Sequence, residues 1–117
     1  MGKLTTHVLD TAAGKPGKGI RIDLFRMTES GRALLGTYHT NADGRCDAPL
    51  LEGEALSRGS YELLFYVGPY FEQSGLTLPE PKFLDEVVIR FGISDEGAHY
   101  HVPLLISPYG YSTYRGS

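Results

Sequence analysis

Apolar and polar residues alternate along most of this chain with a period near two, the signature of strands half-buried against a core. Leu4 to Asp10 is rich in Thr and Val and predicts a first strand. From Ile20 to Thr28, Ile20, Ile22 and Leu24 alternate with Arg21 and Asp23, which predicts a second. Ser30-Gly31 supplies a hairpin turn and Ala33 to Thr40 the return strand. Tyr61, Leu63, Phe65 and Val67 share one face of a further strand, and Val87, Ile89, Phe91 and Ile93 share one face of the next. Ala98 to Ile106 and Gly110 to Arg115, joined by Ser107-Pro108-Tyr109, complete the set. The Gly- and Pro-rich stretch from Pro69 to Leu84 reads as loop, with a helical turn around Tyr70 to Ser74. The expectation is an all-β, two-sheet sandwich of seven to eight strands with at most one short helix, forming one domain over residues 1–117.

The strand at Ala98 to Ile106 is the most informative. Tyr100, Val102, Leu104 and Ile106 fill the core from one face, so His99, His101 and Pro103 share the other. Pro103 lacks an N–H and argues for an edge or a bulge there. An outer sheet face is a poor pocket unless something covers it, and a second subunit is the simplest cover.

Composition narrows the field. With 15 Gly, 8 Tyr, no Trp and one Cys in 117 residues, the chain suits tight turns and excludes an intrachain disulfide or a Cys-based zinc site. A net charge of −3, with Lys and Arg scattered, offers no basic patch for nucleic acid or an acidic membrane. No apolar run approaches the ~20 residues that span a bilayer. The N-terminus has no apolar signal region, which predicts a cytoplasmic protein, or a periplasmic one if a signal was removed before residue 1.

Four histidines, His7, His39, His99 and His101, are candidates for acid–base chemistry, although most lone histidines are structural or surface residues. Three of them offer a zinc set only if spacing fixes a third ligand, and it does not, so no metal is expected. Arg45 follows the turn Asn41-Ala42-Asp43-Gly44 and can present a planar fork of donors to a carbonyl or an anion. Cys46 reads as a partly buried apolar side chain rather than a nucleophile. No serine sits in a Gly-x-Ser-x-Gly elbow, and Asp10, Asp23, Asp85 and Glu86 show no pairing. The last nine residues, Tyr109 to Ser117, concentrate aromatics, hydroxyls and an arginine where a chain normally frays; such an end is ordered only if it docks, and the plain alternative is a last edge strand with a polar tip.

Together these segments resemble one family. Leu4-Thr5-Thr6-His7-Val8-Leu9-Asp10 with Gly14-Lys15-Pro16-Gly17, then Thr40-Asn41-Ala42-Asp43-Gly44-Arg45, then Tyr100-His101-Val102-Pro103-Leu104-Leu105, and the ending Ser107 to Ser117 are similar to signatures of the 5-hydroxyisourate hydrolases, or transthyretin-related proteins. The closing Tyr114-Arg115-Gly116-Ser117 is the tetrapeptide that separates these hydrolases from the hormone-carrying transthyretins. The resemblance implies a prealbumin-like sandwich and a homotetramer, a dimer of dimers with active sites in the channel where dimers meet. It implies a cofactor-free opening of the cyclic amide of 5-hydroxyisourate in urate breakdown. It assigns catalysis to His7, Arg45, His101 and Ser117, and substrate binding to His7, Arg45, Tyr114, Arg115 and Gly116. Two rivals stand beside it: a carrier of a small aromatic ligand on the same tetramer, and an adhesion module of a larger surface assembly.

Overall fold

The computed structural model describes residues 2–116. Nine strands and one short helix follow in chain order: β1 (Lys3–Asp10), β2 (Lys15–Pro16), β3 (Arg21–Thr28), β4 (Gly31–His39), β5 (Leu51–Glu52), β6 (Gly59–Tyr66), α1 (Val67–Gln73), β7 (Glu86–Ile93), β8 (His99–Ser107) and β9 (Gly110–Thr113). They build two sheets. One runs β2-β1-β8-β9, with β5 also on β1; the other runs β4-β3-β6-β7. This is the expected two-sheet sandwich. Its seven strands of four or more residues are those predicted by the alternation, with ends shifted by a few residues. The two-residue strands β2 and β5, and a 3₁₀ turn at Gly53–Ala55, are too short for a period to register.

The core lies between the sheets and is made by the inward half of each alternation. Leu4 and Val8 of β1, Ile22 and Leu24 of β3, Tyr61, Leu63 and Phe65 of β6, and Leu104 and Ile106 of β8 are each at most 1% exposed. Burial of this kind is worth about 1.5–3 kcal/mol per large side chain, and it fixes which way every strand faces. A one-residue slip of β8 would turn Tyr100 and Leu104 to water and His101 into the core.

Two local expectations are corrected. Val67 does not continue the strand of Tyr61, Leu63 and Phe65; it opens α1, where it packs inward with Phe71. Pro69 falls in the first helical turn, where the missing N–H has no intrahelical partner to lose. Pro103 is not on an edge strand: β8 lies between β1 and β9, with Pro103 opposite His7. Its carbonyl turns toward β9 and accepts from Thr113 Oγ1 at 2.7 Å. The missing N–H therefore falls on the β9 side. There the ladder stops at Thr113 and resumes only as a single bridge between His101 and Gly116. Among the described residues, no helix is long and apolar enough to cross a membrane.

Candidate active site

The site is assembled on the outer face of the β1–β8 pair. These strands run parallel, with Thr5 opposite His101, Lys3 opposite His99 and His7 opposite Pro103. Leu4, Thr6 and Val8 point inward, so Thr5 and His7 point outward beside the two histidines of β8. The rings of His7 and His101 lie 6.3 Å apart between centroids, tilted by 38°. Thr5 Oγ1 lies 2.8 Å from Nδ1 of His101 and 3.0 Å from Nε2 of His99.

Arg45 reaches the same face through local turn chemistry. The side-chain oxygen of Asn41 accepts the N–H groups of Asp43 at 2.9 Å and of Arg45 at 3.2 Å, closing an Asx turn. Gly44, at φ +75°, carries the left-handed step, and its carbonyl accepts the N–H of Val8 at 2.8 Å. Arg45 then pairs with His7 in an antiparallel bridge. On β1, the partners of β5 are Lys3 and Leu4, and those of β2 are Leu9 and Asp10. The Arg45 turn fills the gap between those two short strands. Bridged residues face the same side of a sheet, so the guanidinium and the His7 ring share the outer face.

A cleft of about 350 Å³ opens here, lined by Thr5, Arg45, Cys46, Asp47, His99 and His101 among others. That size takes a small planar heterocycle. Burial lowers the pKa of both His7 and His101, and the Arg45 guanidinium lowers both further. Asp43 partly opposes this at His7, whereas His7 and His99 add to it at His101. Both rings are therefore neutral near pH 7, the form that accepts a proton. Burial and Asp47 push the Cys46 thiol up, so it stays protonated, in keeping with its reading as no nucleophile. Among the described residues, no three potential metal ligands cluster at coordinating geometry.

The C-terminal residues divide. Gly116 donates its N–H to the His101 carbonyl at 2.7 Å and lies against the imidazole. Arg115 turns the other way: its guanidinium sits 4.2 Å above the ring of Tyr100, and Nη2 reaches the His99 carbonyl at 3.4 Å. Tyr114 is 62% exposed. Ser117 lies outside the described residues. The fold thus gathers His7, Arg45, His101 and Gly116, and in this chain by itself it leaves Tyr114 and Arg115 pointing elsewhere. Sequence reasoning did not single out Thr5. The available signal was its place two residues before His7 on one strand face.

A cation, two neutral imidazoles and a cleft suit the addition of water to a polarised carbonyl. The chain is similar to several known proteins. A 5-hydroxyisourate hydrolase of Ralstonia nicotianae is 63% identical over the full length of both chains. The crystal structure of an (S)-allantoin synthase superposes with a TM-score of 0.94 at 45% identity over 99% of this chain, which spans 44% of that longer one. Transthyretin from Sparus aurata superposes at 0.85 with 25% identity, over 97% of this chain and 96% of its own. A sequence profile of the HIUase/Transthyretin family matches residues 4–116, and the chain belongs to that family.

Proposed function

We propose that this chain hydrolyses 5-hydroxyisourate to 2-oxo-4-hydroxy-4-carboxy-5-ureidoimidazoline, opening a cyclic amide without a cofactor. The observation that carries the reading is the His7–His101 pair, 6.3 Å between ring centroids, with Arg45 bridged to the backbone of His7. A full-length relative at 63% identity bearing the hydrolase name supports it.

In this reading His101 takes a proton from water, and the new hydroxide oxygen bonds to the ring carbonyl carbon. Arg45 stabilises the oxyanion that forms, an effect typically worth ~10²–10³ in rate. The C–N bond then breaks, and the proton held by His101 passes, through His7, to the leaving nitrogen. One water is consumed; its OH stays on the new carboxyl and its proton goes to the leaving nitrogen, and near pH 7 the carboxyl then ionises and releases one proton to solvent. Gly116 lies at the rim of the site and Ser117 orients a histidine or the water, whereas Tyr114 and Arg115, which point away from the cleft of their own chain, meet the substrate ring only in the assembled protein. The face is open in one chain, so we infer a homotetramer, a dimer of dimers, in which a partner subunit covers it. A cytoplasmic setting, where a lone thiol such as Cys46 stays reduced, fits the reading.

The carrier reading has one observation in its favour, the likeness to transthyretin. His7 and the ending Tyr114-Arg115-Gly116-Ser117 tell against it. The test is to generate 5-hydroxyisourate freshly from urate with uricase and follow its ultraviolet decay with and without the protein. Decay faster than the spontaneous rate is expected. A rate equal to the control, with folded protein present, would overturn the reading and favour the carrier.

A further inference from the structure

Thr5 stands between two histidines of the neighbouring strand, and a hydroxyl has one proton to give and lone pairs to accept with. Its oxygen is within hydrogen-bond distance of Nδ1 of His101 at 2.8 Å and of Nε2 of His99 at 3.0 Å. It donates to only one of them. If Thr5 donates to His101, Nδ1 is the acceptor, the neutral ring carries its proton on Nε2, and the free nitrogen is no base. If it donates to His99, Nδ1 of His101 carries the proton and Nε2 is left bare.

We propose that Thr5 is a positioning residue that commits His101 to the second state: its oxygen accepts a hydrogen bond from Nδ1–H of His101 and its hydroxyl donates to Nε2 of His99, leaving Nε2 of His101 as the proton acceptor. The inference rests on the reading that His101 is the base. Two features select the direction. His99 is exposed, so its remaining Nδ1–H is satisfied by water and its tautomer is free to adapt. His101 is half-buried beside the positive Arg45, and burial first, then that charge, lower its pKa. A lone pair presented to that cation is favoured over an N–H dipole. The backbone register that pairs Thr5 with His101 holds the oxygen in place without help from the substrate.

The test compares the protein with Thr5→Val and Thr5→Ser, combining imidazole nitrogen NMR with steady-state turnover. Val keeps the β-branched shape and the strand preference, so the fold is retained. At about pH 8, above the ordinary histidine range, His101 in the unaltered protein is expected to show a protonated Nδ1 and a bare Nε2. In Thr5→Val the tautomers mix. There kcat falls about tenfold or more with KM little changed, within the ~10⁴ that a wrong tautomer can cost. Thr5→Ser restores both. A bare Nδ1 in the unaltered protein, an unchanged His101 spectrum in Thr5→Val, or a loss that Thr5→Ser does not restore would each overturn the proposal. The spectra report the tautomer whether or not 5-hydroxyisourate is turned over, so this proposal and the proposed function fail separately.

Discussion

The backbone of Arg45 pairs with that of His7 in a single antiparallel bridge, on the edge of β1 that β5 and β2 leave open. This bridge ties a turn after β4 to the first strand. It sets a guanidinium and an imidazole side by side from segments distant in the chain. Both residues depend on the shape of the four-residue turn that precedes the bridge.

Gly44 is the point where that shape is most vulnerable. It combines φ +75° with an approach in which a Cβ would come 2.3 Å from the Val8 carbonyl oxygen. Gly44→Ala is expected to cost about 1–3 kcal/mol in backbone strain and to move Arg45 off its bridge. Thermal unfolding and turnover measured together should fall together; unchanged turnover would separate the Arg45 position from activity.

His101→Asn keeps a polar outward side chain, so the core behind it is untouched. Turnover of 5-hydroxyisourate should drop by at least about 10², the lower range for loss of an acid–base group, while the melting temperature stays close to that of the unaltered protein. Near-normal turnover in this variant would remove His101 from the mechanism.

The pH dependence follows from the direction of the two histidine shifts. His7 and His101 both titrate below the ordinary value of about 6.5. Their neutral forms thus persist at pH 6.5, and activity is lost only as the pH falls further, through the lowered folded-state values. The acid limb of kcat/KM should lie below about 6.5. Arg45→Gln removes a positive charge that lowers both groups, so the same limb, measured on the residual activity, should move to higher pH. A limb that stays put would mean that Arg45 does not set these values.

Gly116 packs against the imidazole so closely that an added Cβ would lie 2.7 Å from Cδ2 of His101. Gly116→Ala therefore tilts the ring or lifts the tail, with little effect on the core. Turnover should fall about tenfold or more for a misplacement of this size near a reacting group, with the unfolding curve unchanged. Full activity would show that the tail does not set the ring.

Much of this architecture was legible in the chain itself. Alternation along Tyr100, Val102, Leu104 and Ile106 determined that His99 and His101 face outward, because a buried imidazole pair would displace the core that these four residues fill. Asn41 and Gly44 determined the Arg45 turn, because an Asx turn and a positive φ are local chemistry. The resemblance to the hydrolases named the residues but not their neighbours. What only the tertiary structure decided is the register. The parallel pairing of β1 with β8 joins residues more than ninety positions apart, setting Thr5 against His101, and no local period encodes that match. The same holds for Arg115, whose sequence neighbours include the site glycine Gly116 but whose guanidinium is drawn to the face of Tyr100 instead. Local pattern tells each strand which face is wet; which wet faces meet depends on how both sheets close over a shared core, and that is settled only when the whole chain packs.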